Sequence, residues 1–452
     1  MHPYVASYRY TKTALTSFLP RLRPLVLSSL LLYAGAGRAK TAENPAAPRE
    51  LTELIQKALS SNAELKALEA SRSAASARVG PAGSWEDPML AVEAMNIPTD
   101  TLRFNQYEMS GLQISLAQKF PFPGKLSGQR EVADLKSQTI DLRLKQMRLE
   151  ITWNIKRIYY ELYLKFQKKA SIANQRTYLQ QTLETSRSRY TLGQVSQVSI
   201  LNLQVEEARL LNEQLRLSSE MKNLEAELAH IGGHGEHAIP LVFQTLTVDR
   251  VNLHRWTEES IAQKVIAQNI EIQALQSEVK MSDASLKLAR KSYLPDFEFM
   301  ASYTKRDPIP GMDPPDRGQD FIGAKIGVSL PLWGGIKQSE QIKEAAAEKD
   351  RASFELENAR LMQLHQARAL FAELRESSQR IDLFEGGLLQ LSRQAVAASK
   401  SSYLTGKAEY TVLLDTLTRL QETEYSYQEA LVSYQVQMAK LEALLGQSLG
   451  AS

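Results

Sequence analysis

The sequence predicts a mixed α/β membrane protein. Each chain supplies four β-strands and several very long helices and is internally duplicated. Three chains pool their strands into a trimeric 12-stranded outer-membrane β-barrel, continued by a long periplasmic α-helical barrel. Three observations carry this. First, Gly124 to about Tyr190 runs without a proline, which is roughly 100 Å of helix at 1.5 Å per residue, against three or four turns in an ordinary globular helix. Second, four short segments alternate apolar and polar residues. Third, the whole order of elements occurs twice. Phe120-Pro121 returns as Leu330-Pro331, Tyr190-Thr191-Leu192-Gly193 as Tyr403-Leu404-Thr405-Gly406, and Asn62-Ala63-Glu64-Leu65 as Asn269-Ile270-Glu271-Ile272. A drift of a few residues over so long a repeat marks a duplicated unit.

Taken in order, residues 1–39 hold Arg9, Lys12, Arg21, Arg23 and Arg38, no acidic residue, and an apolar run from Leu25 to Ala34. A basic start, a short apolar core and a small-residue exit describe an export signal cleaved near Ala39, with Ala36 as second choice. The run is too short to span a bilayer. A linker covers 40–49. The first repeat, 50–233, opens with a helix over 50–80, its apolar side Leu51, Leu54, Ile55, Ala58 and Leu59. Strands follow at 89–96 and 107–120, then the long helix and its return, about 196–229. In the long helix Leu144, Met147, Ile151, Ile155, Ile158, Leu162 and Phe166 recur every three or four residues. That is a seam for packing lengthwise on another helix. A connecting segment, 234–256, leads to the second repeat, 257–446: a helix to Tyr293, strands at 296–303 and 321–330, a long helix with a weak point at Gly386-Gly387, and a return to Leu445. Residues 447–452 are a tail.

The 452 residues include 54 Lys and Arg, 51 Asp and Glu, and no Cys. Losing the five basic residues of 1–39 takes the formal charge from +3 to −2, which gives no reason to expect nucleic acid as a partner. Without Cys there is no disulfide, thiolate metal site or lipidated amino-terminal Cys. Four strands cannot close a barrel, for which about eight are needed. Nor can they lie open in lipid, where the N–H and C=O groups of the edges would go unpaired. Pooling between chains answers both. Ile322, Ala324, Ile326 and Phe299 are then expected to face lipid, and the turns at 97–104 and 304–319 to face outward.

At this point the chain, over 50–446, resembles the TolC-like outer membrane factors, the channel family of tripartite efflux pumps and type I secretion systems. The two turns Tyr190-x-x-Gly193 and Tyr403-x-x-Gly406 look like that family's coiled-coil ends. Phe120-Pro121-Phe122-Pro123-Gly124-Lys125 and Trp85-x-Asp87-Pro88 resemble its heavy-metal-exporting branch, which works with resistance-nodulation-division (RND) pumps. The resemblance implies a homotrimer in outer-membrane lipid, a periplasmic adaptor docked on the helical tips (Leu192, Gly193, Leu404 and Gly406) and an inner-membrane RND pump. It also implies a gate near the tips. Asp415 matches an acidic constriction position of the family, but Val412 stands where another Asp is expected. The first half offers Ser199 and Asn202 there, and Glu409 and Tyr410 lie close by. A ring of like charges is relieved by cations or by opening.

No nucleophile motif, phosphate-cradling glycine loop or HExxH pair is present, so an enzyme is not expected, nor a cofactor. His230, His234 and His237 cluster at the end of the first repeat and are weak metal candidates with no Cys beside them. The leading expectation is a passive outer-membrane channel of an RND efflux system, with heavy-metal cations as cargo. Drug efflux or type I protein secretion is the alternative within the class. A soluble periplasmic coiled-coil scaffold is the alternative outside it.

Overall fold

The structure is a computed structural model that describes residues 49–233, 243, 246, 253–311, 317–405 and 407–447. The expected signal, most of the linker, most of the connecting segment and the end of the tail lie outside them.

The first repeat contains α1 (Arg49–Ser61), α2 (Ala63–Ala82), β1 (Met89–Met95), β2 (Gly111–Phe120), α3 (Lys125–Thr191) and α4 (Gln197–Gly232). The second contains α5 (Glu258–Gln268), α6 (Ile270–Arg290), β3 (Phe297–Lys305), β4 (Phe321–Val328), α7 (Lys337–Leu383), α8 (Leu389–Leu404) and α9 (Tyr410–Leu445), with a π-helical turn, Phe384–Leu388, between α7 and α8. α3 is 67 residues long. Among the described residues no helix is long and apolar enough to cross a membrane, a fact that bears on helices alone.

The helix expected over 50–80 is two helices, and so is its counterpart over 257–290. Each breaks at an asparagine. Asn62 leaves the helical region at ψ 123°. Its side-chain oxygen accepts from the Leu65 N–H at 2.9 Å, while its amide donates to the Ile231 carbonyl at 3.0 Å, in the last turn of α4. Asn269 repeats both bonds, to the Ile272 N–H and the Leu444 carbonyl, each at 3.0 Å. An N-cap asparagine satisfies one orphan amide of the new helix. Here it also ties the break to the end of the same repeat's return helix.

The core sits where α3 packs on α1 and α9, and α7 packs on the other side of α9. Ile155, Ile158, Leu162, Leu374, Ile381, Tyr434 and Leu441 are buried there. Most of the predicted α3 seam is buried, but Phe166 is 41% exposed and packs at 5.4 Å against Phe243, which also touches the rings of Tyr159 and Tyr163. The Leu246 N–H donates to the Tyr163 hydroxyl at 3.2 Å. Aromatic contact thus holds Phe243 against the middle of α3.

The strands form one antiparallel sheet in the order β1-β2-β3-β4. β2 begins at Gly111 rather than 107. The four residues before it belong to a turn that Asn96 closes: its amide donates to the Met109 carbonyl at 3.0 Å, and the Ser110 hydroxyl donates to the Asn96 carbonyl at 2.7 Å. Tyr107 and Met109 therefore belong to a turn and not to the strand. β3 runs on to Lys305, and β4 ends at Val328, two residues short of the expected Leu330.

Candidate conduit wall and entrance

The register sorts the sheet into two faces. Leu116 pairs with Ala301 and Ala301 with Ala324; Ile114 pairs with Tyr303 and Tyr303 with Ile322; Phe299 pairs with Ile326. With Leu90 and Val92 opposite Leu116 and Ile114, these residues make one continuous apolar face, because side chains alternate across a strand. It includes all four residues expected to meet lipid. The other face carries Glu93, Gln113, Ser115, Lys119, Glu298, Ser302, Thr304 and Lys325. The apolar face is bare: Ile322 is 87% exposed, Ile326 and Leu90 68%. A water-soluble sheet would bury such a face against its own helices, so the soluble-scaffold alternative does not fit. Among the described residues β1 and β4 each keep one unpaired edge, and a sheet in lipid must close.

The junction after β2 explains the proline-rich motif. The Phe122 N–H and the Lys125 ammonium both donate to the Asp296 carboxylate at 2.8 Å, and Lys125 also donates to the Leu294 carbonyl at 2.8 Å. Lys291 donates to the Gly124 carbonyl at 2.7 Å. Gly124 sits at φ 93°, where a side chain is strained. Trp85 packs edge-on against Phe120 with centroids 5.3 Å apart. These residues clamp the strand-to-helix corner of one repeat to the helix-to-strand corner of the other.

Below the sheet, α3 lies between α4 and α9, and α9 lies between α3 and the α7–α8 pair. The outer helices are therefore α4 and α7–α8, and both keep apolar residues exposed: Val198, Leu201 and Val205 on one, Leu361, Leu383 and Leu391 on the other.

At the first tip Gly193 takes φ 70°, its N–H bonds the Tyr190 carbonyl at 2.9 Å, and the Gln194 N–H bonds that of Arg189 at 3.0 Å. This is the left-handed helix stop that glycine permits. Ser196 caps α4 by accepting from the Ser199 N–H. Leu192 is 71% exposed. At the second tip Gly406 and the side chains of Leu404 and Tyr410 lie outside the described residues. Glu409 holds the N-cap position of α9 without a side-chain cap bond, and accepts from the Thr411 hydroxyl at 3.3 Å.

Among the described gate candidates the hydrogen bonds are local. Ser199 bonds the Ser196 hydroxyl, and Asn202 is exposed on α4. Asp415 accepts from Arg419 one turn along α9 at 2.9 Å, so its charge is locally offset. Reasoning from sequence missed what does join the tips. The Arg189 guanidinium stands over the Tyr403 ring, 5.5 Å from its centre, a cation–π contact between the two hairpins. Arg189 precedes one of the repeated Tyr-x-x-Gly turns and Tyr403 opens the other, the one sequence signal that pointed there. His230 is exposed at the end of α4; His234 and His237 lie outside the described residues. Among the described residues no three His, Cys, Asp or Glu side chains group to hold a metal ion.

An open sheet with a bare apolar face and unpaired edges, over a rod with apolar outer helices, defines one segment of a larger closed wall. The comparisons agree. The outer membrane efflux protein family matches residues 54–234 and 261–447. Outer membrane protein TolC of Salmonella enteritidis is 22% identical over 443 residues, 95% of this chain and 86% of TolC. Among solved structures, VceC of Vibrio cholerae superposes with a TM-score of 0.73 at 18% identity, covering 88% of this chain and 96% of VceC. For CusC the TM-score is 0.68 at 13% identity, covering 88% and 92%. The chain belongs to the outer membrane efflux protein family. It is an outer-membrane protein with its helices on the periplasmic side, and a passive conduit rather than an enzyme.

Proposed function

We propose that three copies of this chain close into one export conduit, each β4 edge pairing with the next copy's β1 and each α4 packing on the next copy's α7–α8. The observation that carries this is the bare, two-edged sheet. A periplasmic adaptor would engage the tips at Leu192–Gly193 and Leu404–Gly406, and an inner-membrane RND pump would load the channel. The test is the purified protein in lipid: a trimer that conducts ions is expected, and a folded monomer overturns the reading.

The cargo has two readings. Heavy-metal export rests on the Phe120–Lys125 and Trp85–Pro88 motifs, whose residues are occupied in the corner clamp and the Trp85–Phe120 contact. Likeness is also spread over several channels at similar TM-scores. We therefore favour the broader reading: a conduit for drug-sized solutes or a secreted polypeptide, with selectivity residing in the pump. A deletion strain restored by this gene separates them. Recovery of drug tolerance or secretion supports the broader reading, and recovery confined to one metal ion supports the other.

For the gate, a ring of three Asp415 carboxylates, each paired with Arg419, is the proposed constriction. Asp415→Asn alone should change cation block of the single-channel current modestly. Arg419→Gln, which unmasks the ring, should strengthen it. Block indifferent to both removes Asp415 from the gate.

A further inference from the structure

The corner after β4 differs from the clamped corner after β2. Leu330, Leu332, Trp333 and Ile336 are 67, 79, 73 and 74% exposed. They are not loose. The turn carrying them is held by Gly334 N–H to Pro331 carbonyl at 3.1 Å, Lys337 N–H to Trp333 carbonyl at 2.8 Å, and the Tyr293 hydroxyl donating to the Gly334 carbonyl at 2.9 Å. The Tyr293 ring lies against Gly334, where a side chain would collide with it. Four large apolar groups are thus presented outward by a well-bonded turn, which exposes a contiguous patch that water penalises.

The height of the apolar band says what meets it. On its outer side the band ends where the Tyr303 hydroxyl and the Arg306 N–H both donate to Asp320. From Ile322, just inside that boundary, to Val328 is about 20 Å along the strand, or about 16 Å of height at the usual barrel tilt. An outer-membrane barrel presents an apolar band about 25 Å tall. Some 9 Å of hydrocarbon and interface, roughly, therefore lies on the helix side of Val328. Leu330 continues the parity of Ile322, Ala324, Ile326 and Val328, and Leu332, Trp333 and Ile336 follow directly. Exposed Lys337 comes next, a cation at the level where anionic headgroups begin.

We infer that Leu330, Leu332, Trp333 and Ile336 form an interfacial anchor seated in the acyl chains of the periplasmic leaflet. It extends a strand face too short to span that band alone. The anchor rests on the outer-membrane reading, and the occupant is phospholipid rather than a neighbouring copy because the patch prolongs the lipid-facing stripe.

The test is tryptophan emission in vesicles whose phospholipid chains carry bromine, a contact quencher. The sequence has four tryptophans, so Trp85→Phe, Trp153→Phe and Trp256→Phe leave Trp333 alone. Adding Ile326→Trp and Trp333→Phe to that background gives a reporter on the strand face. Both reporters should lose at least half their emission. If the strand reporter is quenched and Trp333 is not, the membrane reading stands and the anchor falls, its place taken by a neighbouring copy. If neither is quenched in the folded trimer, the membrane reading fails and the anchor with it. Should the triple background not fold, Leu332→Cys in the otherwise cysteine-free chain accepts an environment-sensitive dye. Apolar-type emission in vesicles supports the anchor, and water-like emission overturns it.

Discussion

The two helical hairpins have return helices of equal length, 36 residues each, and nearly matching turns, yet they are built to different standards. In the first, α3 is unbroken and the lower half is closed by a core of Ile172, Leu179, Leu183, Leu203, Leu210 and Leu217. In the second, the outgoing helix is interrupted at Phe384–Leu388, where Gly387 takes φ 152°. No described side chain of α8 is buried, and Leu413 is the only one buried in α9 below Ala430. Polar contacts join its two helices there: Arg393 with Glu424 at 3.0 Å, Ser392 with Thr423 at 3.5 Å. Neither Gly386 nor Gly387 has an atom near where a side chain would point, so the pair serves the backbone and not close packing. Equal geometry with unequal burial means unequal local stability. The first hairpin is the stiff member and the second the compliant one, with its soft point at the bulge.

The largest test of that contrast is a cavity in the stiff hairpin. Leu179→Ala should cost about 2–5 kcal/mol, read as faster amide exchange in the lower halves of α3 and α4. Leu391→Ala, at an exposed site of α8, should leave exchange in α8 and α9 of the isolated chain nearly unchanged. Comparable losses would mean the two hairpins are equally packed. Next is the bulge itself. Gly387→Ala places a side chain where φ is left-handed and should destabilise α8 by about 1–3 kcal/mol. Asn174, its counterpart by position in α3, should tolerate Asn174→Ala without loss. If Gly387→Ala is silent, the bulge is not a conformational requirement.

Much of this was legible in the residues. Helical periodicity and the absence of proline marked α3, alternation marked all four strands, and Gly386-Gly387 marked the interruption. Asn62 and Asn269 mark the repeat in the sequence, but the helix breaks they make are not legible there. A capping residue inside an apolar-periodic run looks like an ordinary polar surface position until its partner carbonyl, some 170 residues away, is in place. At the entrance the situation reverses. Asp415 and Arg419 stand one turn apart, so their pairing was available from spacing alone. The Arg189–Tyr403 contact joins two hairpins and depends on how they pack. Its removal is the third test. Arg189→Ala should weaken the coupling of the tips by about 0.5–1 kcal/mol, seen as more frequent current fluctuations, and Tyr403→Phe should keep the contact where Tyr403→Leu does not. Equal behaviour of the Phe and Leu variants would dismiss the ring.

The smallest effect separates the hairpins by pH. Glu213 on α4 is held down from 4.5 to about 2 by hydrogen bonds from Arg216 and then from Lys168 on α3. A carboxylate whose folded pKa is depressed stabilises the fold above its unfolded pKa, and that contribution is lost as pH falls through the folded value. The strap between α3 and α4 is therefore complete above about pH 4.5 and released by about pH 2. Its partners are largely solvated, so screening keeps the gain small. Exchange protection in the lower α3–α4 coil, corrected for intrinsic rates, should decline across that window. In Glu213→Gln the decline should be smaller, because the pairing that titrates is gone. A decline of unchanged size in Glu213→Gln would assign the acid sensitivity to other carboxylates, among them Glu220, which Lys165 on α3 binds across the same coil.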